Sequence, residues 1–192
     1  MSFSVLKVLG TDNNKEKREA TTTVQAYPTQ FVLSPKETKS VRVRYMNKNL
    51  PNIEEVYRIV AQELDIDVGD DKQEDTKGKI KAQIKMRFSY EGLLFIKQEN
   101  AKEKLDIQSI QNTNNTVSIV IINNGNASAI PLVKKYNFIV TLKDGKEYPL
   151  IPEDLKGAEF RRVLAGKTNT FTLKNITSVA VDKITSMRLE KK

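Results

Sequence analysis

The sequence contains no cysteine and no histidine. That excludes a Ser-His-Asp triad, a thiol nucleophile, a zinc site built on those ligands, and any disulfide. No glycine-rich phosphate loop of the P-loop or dinucleotide type occurs. No apolar run is long enough to span a bilayer, and the opening MSFSVLKVLGTDNN lacks the sustained apolar centre of a signal peptide. An ordinary enzyme is therefore not expected, nor a cofactor, nor a membrane-inserted segment. The lack of cysteine leaves the compartment open, because an oxidising location permits disulfides without requiring them.

What is present points to β structure. The 192 residues suit two domains of about a hundred residues or one large β domain. The 32 Lys and Arg exceed the 24 Asp and Glu, for a formal charge of +8, which permits an acidic partner. The lysines are spread along the chain, and no basic helix or aromatic RNA-binding motif appears, so nucleic acid is not expected as a partner. Solubility and the guarding of strand edges account for the excess.

The longest pattern is Ile80–Tyr90, IKAQIKMRFSY. Ile80, Ala82, Ile84, Met86, Phe88 and Tyr90 are apolar, and Lys81, Gln83, Lys85, Arg87 and Ser89 are polar. Period-two alternation of this kind marks a strand with one face meant for burial, whereas a helix would spread the apolar residues around its circumference. At about 3.3 Å per residue the strand would be roughly 36 Å long, well beyond the usual length. Either it pairs along its whole length inside one domain, or part of it is kept for a partner.

Ahead of it, Ser2–Leu9 reads as a short strand closed by a turn-rich charged segment, Gly10–Glu19. Further strands are expected at Ala20–Ala26, Phe31–Leu33 and Val41–Tyr45, with a Pro-initiated turn at Ser34–Glu37. Glu55–Leu64 could be a helix if taken alone, but its β-branched and aromatic content and its setting favour a strand. Asp65–Lys79 (DIDVGDDKQEDTKGK) is acidic enough for a calcium loop to be weighed. Counted from Asp65, however, Gly69 is fifth and Thr76 twelfth, where an EF-hand requires glycine sixth and glutamate twelfth. A solvated hairpin loop is the better reading.

After a polar stretch at 98–104, suited to an interdomain hinge, a second strand series follows. It comprises Leu105–Ile110, Thr116–Ile122, Ala127–Val133, Tyr136–Leu142, Glu147–Ile151, Phe160–Leu164, Thr168–Leu173 and Lys183–Leu189. Turns are expected at Asn123–Asn126, Asp144-Gly145 and Ala165-Gly166. One helical turn is expected near Pro152–Lys156, where Glu153 and Asp154 suit the N-terminal dipole. Many short strands with closely spaced turns mean an all-β sandwich or barrel.

Five segments, in order, resemble the periplasmic chaperones of the usher secretion pathway. In the first half they are PTQFVLSPKETKSVRV, EEVYRIVAQEL and RFSYEGLLFI; in the second, IVIINNGNASAIPL and VLAGKTNTFTL. The look is nearer the alternate or archaic branches than the pyelonephritis type. The resemblance implies two immunoglobulin-like β-sandwich domains set at an angle, residues 1–97 and 105–192, and no enzymatic activity. It implies fimbrial or pilus subunits and an outer-membrane usher as partners, and the periplasm as location.

In that family the long strand fills a hydrophobic groove in a client subunit by strand addition. The donor side chains here would be Ile80, Ala82, Ile84 and Met86, with Phe88 a further candidate. The competing reading is that these side chains face the domain's own core, and for Phe88, Tyr90 and Leu93 that reading is preferred. The family also holds the client's C-terminal carboxylate with basic residues, a role that falls on Arg87, with Lys85 next; the alternative for Arg87 is a solvated charge guarding the edge. The family's first two strands have no counterpart ahead of Met1, so the first sandwich is expected to be incomplete. A structural or adhesive β-sandwich protein, with the long strand purely internal, is the other reading of the same residues.

Overall fold

A computed structural model describes residues 1–12, 15–64, 87–113, 116–131, 136–156, 158, 161–174 and 176–192. Among them twelve strands follow one another: β1 (Ser2–Asp12), β2 (Lys15–Ala20), β3 (Val24–Tyr27), β4 (Arg42–Tyr45), β5 (Glu55–Gln62) and β6 (Ser89–Ile96), then β7 (Leu105–Thr113), β8 (Thr116–Asn123), β9 (Tyr136–Leu142), β10 (Glu147–Pro149), β11 (Thr168–Lys174) and β12 (Ile184–Lys191). Short 3-10 turns cover Pro152–Leu155 and Val181–Lys183. The chain is all-β. It divides into two compact units: Met1–Leu9, Arg18–Lys48 and Val56–Leu94 form one, and Gly10–Lys17, Asn49–Glu55 and Phe95–Lys192 the other.

In the first unit the strands pair in the order β2-β1-β5-β6, and β3 pairs with β4. β1 and β5 run antiparallel, from Ser2 opposite Gln62 to Val8 opposite Val56. Glu55–Gln62 is thus a strand, as its β-branched content implies. The β3–β4 register, Val24 opposite Tyr45 through Tyr27 opposite Arg42, sorts the residues cleanly by face. Val24, Ala26, Val43 and Tyr45 turn inward, while Gln25, Tyr27, Arg42 and Arg44 are exposed. Phe3 and Val5 of β1 line a cleft of about 360 Å³ with Val24 and Ala26 of β3. Among the described residues of this unit only Val8, Val24, Val56 and Tyr57 are buried apolar side chains.

Three expectations for this half are corrected. Gly10–Glu19 is not a turn-rich segment: β1 runs to Asp12 and β2 takes up Lys15–Ala20. Its charged side chains give no apolar alternation, and β1 supplies the pairing partner that the local sequence does not advertise. Phe31–Leu33 is not a strand. It makes backbone bonds with the start of the chain, Met1 N to Phe31 O at 3.0 Å and Phe31 N to Met1 O at 3.1 Å, and then leaves Val32 73 % exposed. Phe88, Tyr90 and Leu93 do not face a core; they are 50, 64 and 40 % exposed. Tyr90 and Leu93 lie on β6, which among the described strands has β5 alone as its neighbour, and Phe88 directly precedes it, so apolar character alone does not bring these side chains a covering layer.

The second unit is better filled. Two three-stranded sheets, ordered β11-β8-β7 and β10-β9-β12, enclose its core. Val117, Ile119 and Ile121 alternate inward along β8 and stand opposite Leu173, Phe171 and Asn169 of β11. Phe138 and Val140 of β9 lie opposite Leu189 and Met187 of β12. Apart from Asn169, these side chains form one cluster, with Leu189 partly buried at its margin. A bulge between Ile107 and Ser109 shifts the phase of β7. Further along β7, Asn112 Nδ2 donates to Val181 O at 3.1 Å and Ile184 O at 2.8 Å.

The expected strands Ala127–Val133 and Phe160–Leu164 reduce, in their described residues, to a single bridge between Ala129 and Val163. Pro131, which has no amide to donate, stands inside the first of them. Of the expected turns, Asp144-Gly145 and Ala165-Gly166 are present, while at Asn123–Asn126 the chain runs from β8 into a bend. Gly145 and Gly166 adopt φ of 81° and 67°, and Asp144 Oδ1 accepts from Lys146 N at 3.1 Å. The helical turn at Pro152–Leu155 also forms, but Asp154 does more than complement a dipole. It is buried and accepts from the amides of Ile151 and Thr177 at 3.2 and 2.7 Å, and from Ser178 Oγ.

Candidate functional site

The site built from sequence centres on the long alternating strand. Its first part, with Ile80, Ala82, Ile84, Lys85 and Met86, lies outside the described residues, as does the acidic stretch weighed as a calcium loop. Arg87 and Phe88 are described, and the strand proper, β6, begins at Ser89. β6 stands at the end of the order β2-β1-β5-β6, so among the described strands only β5 pairs with it. Phe88 and Tyr90, two positions apart and therefore on one face, are both exposed. Arg87 is exposed beside them. Carried back in steps of two, the phase of Phe88 and Tyr90 is that of the apolar set Ile80 to Met86 in the sequence.

Two groups of contacts fix β6 in place. In the first unit, Arg18 of β2 forks onto Glu91, with Nη1 to Oε1 at 2.9 Å and Nη2 to Oε2 at 2.7 Å. Arg58 of β5 approaches the same carboxylate at 3.6 Å. A planar guanidinium gripping both carboxylate oxygens is a directional contact as well as a charged one. The pair links β2 to β6 across the sheet. At the beginning of β6, Glu63 N donates to Phe88 O at 3.1 Å, and Phe88 N donates to Glu63 Oε2 at 3.2 Å.

The second group belongs to the second unit and surrounds Glu54, whose carboxylate is almost fully buried. Ser128 N donates to Glu54 Oε1 at 3.0 Å, and Lys97 Nζ lies 3.9 Å from Oε2. Arg162 Nη1 donates to Ser128 Oγ at 3.1 Å, and its guanidinium sits 4.5 Å from the centroid of the Phe95 ring. Burial pulls the Arg162 pKa down, opposed by the nearby Glu54 charge. The sequence carries no signal for this cluster. Glu54 and Ser128 are 74 positions apart, and neither FRRVL nor LPNIEE is a spaced motif.

Among the described residues, Phe88 just ahead of β6, Tyr90 within it and Arg87 beside them are all exposed. No group of three or more acidic residues that could hold a metal ion occurs among the described residues.

No protein-family model and no curated protein matches the chain. Solved structures do. A chain of the chaperone–tip adhesin complex of CFA/I fimbriae biogenesis matches with a TM-score of 0.55 and 15 % identity, over 100 % of this chain and 83 % of that one. The class 5 fimbriae chaperone CfaA matches with a TM-score of 0.52 and 15 % identity, over 100 % of this chain and 84 % of that one. A chain of the CsuC–CsuE chaperone–tip adhesion subunit pre-assembly complex, from the archaic Csu pili of Acinetobacter baumannii, matches with 0.57 and 18 %, over 99 and 82 %. At these identities the likeness is one of fold. The chain has the all-β fold of the fimbrial chaperones, the resemblance read from its five segments.

Proposed function

We propose that this protein is a periplasmic chaperone that captures fimbrial subunits by strand addition and passes them to an outer-membrane usher. The observation that carries the reading is the exposure of Phe88 and Tyr90 at the beginning of β6, the last of the described strands in the order β2-β1-β5-β6, in phase with the alternation of Ile80–Tyr90. The fold shared with CfaA, and the tip-adhesin partners named for the two complexes, support it. The lent side chains are Ile80, Ala82, Ile84 and Met86, with Phe88 at their end. Filling a client groove with four such side chains contributes roughly 5–10 kcal/mol gross, before association costs. Arg87, with Lys85, holds the client's terminal carboxylate, a task suited to a guanidinium fork. No bond is made or broken in the client, so the protein is not an enzyme.

The test is coexpression with β-rich subunits secreted by the same cell, followed by isolation of a one-to-one complex. Ile84→Asp is expected to abolish capture while the second unit stays folded. Undiminished capture by that variant would mean that the strand is internal.

A further inference from the structure

At the foot of β6, where the residues that stay in the sheet meet the stretch proposed to be lent, one rung of the ladder is made in an unusual way. In a regular antiparallel rung two residues exchange backbone bonds, each amide donating to the other's carbonyl. Glu63 and Phe88 make half of such a rung: Glu63 N donates to Phe88 O at 3.1 Å. The return bond does not end on the Glu63 carbonyl. Phe88 N donates instead to the Glu63 carboxylate, Oε2, at 3.2 Å. Glu63 directly follows the last residue of β5 and Phe88 directly precedes the first of β6. The side-chain acceptor thus sits one residue outside the described strands β5 and β6.

We infer that Glu63 is a positioning residue that fixes the register in which the beginning of β6 pairs with the end of β5. The inference rests on the strand-lending reading above. A carboxylate is a stronger acceptor than a carbonyl and tethers the Phe88 amide at this end of the pair. Because side chains alternate with a period of two, a slip of one residue here would turn every following side chain to the opposite face. Holding Phe88 in register keeps Phe88 and Tyr90 outward together. It also sets the phase with which any continuation of the strand starts. Glu63 thereby decides which set of alternate side chains a partner meets, without touching the partner itself.

The experiment is amide hydrogen exchange followed by NMR on the full chain, with no partner present, comparing wild type with Glu63→Ala and Glu63→Gln. Glu63→Ala is expected to cut protection of the Phe88 amide by about tenfold or more, leaving β5 amides such as Ile59 unchanged, because only the local tether is lost. Glu63→Gln, whose amide oxygen still accepts, is expected to restore most of that protection. Unchanged Phe88 protection in Glu63→Ala overturns the inference. So does an equal loss in both variants, which would show that the acceptor oxygen is not what holds the amide. Failure of the wild type to capture any subunit would strike at the strand-lending reading alone and leave the Phe88 result standing.

Discussion

The guanidinium of Arg162 lies 4.5 Å from the centroid of the Phe95 ring. A cation at that distance is drawn to the ring face, more strongly where water is excluded. The same guanidinium donates to Ser128 Oγ, whose backbone amide in turn donates to Glu54. Phe95 belongs to β6, so the contact holds that end of the strand.

Arg162→Met keeps much of the side-chain length and removes the charge. It is expected to lower the unfolding free energy by about 1–2 kcal/mol. In a double-mutant cycle with Phe95→Leu the coupling should be about 0.5–1 kcal/mol, read from urea unfolding. Strict additivity would mean that the ring contact contributes nothing.

Asp154 makes stability depend on acid. Burial pushes its carboxyl pKa up, but bonds from the Ser178 hydroxyl and from the amides of Thr177, Ile151 and Ser178 pull it further down, and the net shift is below the usual carboxylate value. As pH falls, the unfolded chain, with an Asp pKa of about 3.9, takes up this proton before the folded chain does. The contribution is therefore complete above about pH 5 and is lost as pH falls through the folded value. Urea unfolding at pH 7 and near pH 3 should show a smaller acid loss in Asp154→Asn than in wild type. Equal losses in the two would place the acid sensitivity elsewhere.

Gly125→Ala tests the asparagine-rich turn. Glycine is common in turns because it tolerates positive φ, but what position 125 requires is space. A Cβ there would overlap the Lys102 carbonyl oxygen and the Lys104 amide. Asn123, fully buried, gathers the same region by accepting from Lys104 N at 3.1 Å and donating to Ala127 O at 2.8 Å. The substitution is expected to cost about 2–3 kcal/mol, measured as a lowered urea midpoint with an unchanged slope. A cost near zero would mean that the 102–104 backbone yields freely.

Legibility followed burial pattern. β8 was plain because Val117, Ile119 and Ile121 alternate over a face that a full core covers, and β4 because Val43 and Tyr45 alternate with Arg42 and Arg44. β2 was hidden because Lys15–Ala20 pairs through its backbone and carries no apolar code. Phe31–Leu33 misled in the opposite sense, an apolar run whose Val32 and Leu33 are exposed. At the site, the alternation of Phe88 and Tyr90 was readable, but the side of the sheet left bare was not. Which face is covered depends on elements far away in the chain. Glu54, Phe95 and Arg162 meet only through folding and follow no spacing rule.

Among the described residues the two units differ in how many apolar side chains they bury. Four buried apolar side chains in the first unit stand against nineteen in the second, among the described residues. Opening free energy is then unevenly shared, since segments with few buried contacts open through small fluctuations while a filled core waits for global unfolding. Amides of β1 and β5 are accordingly expected to exchange with solvent sooner than those of β8 and β9.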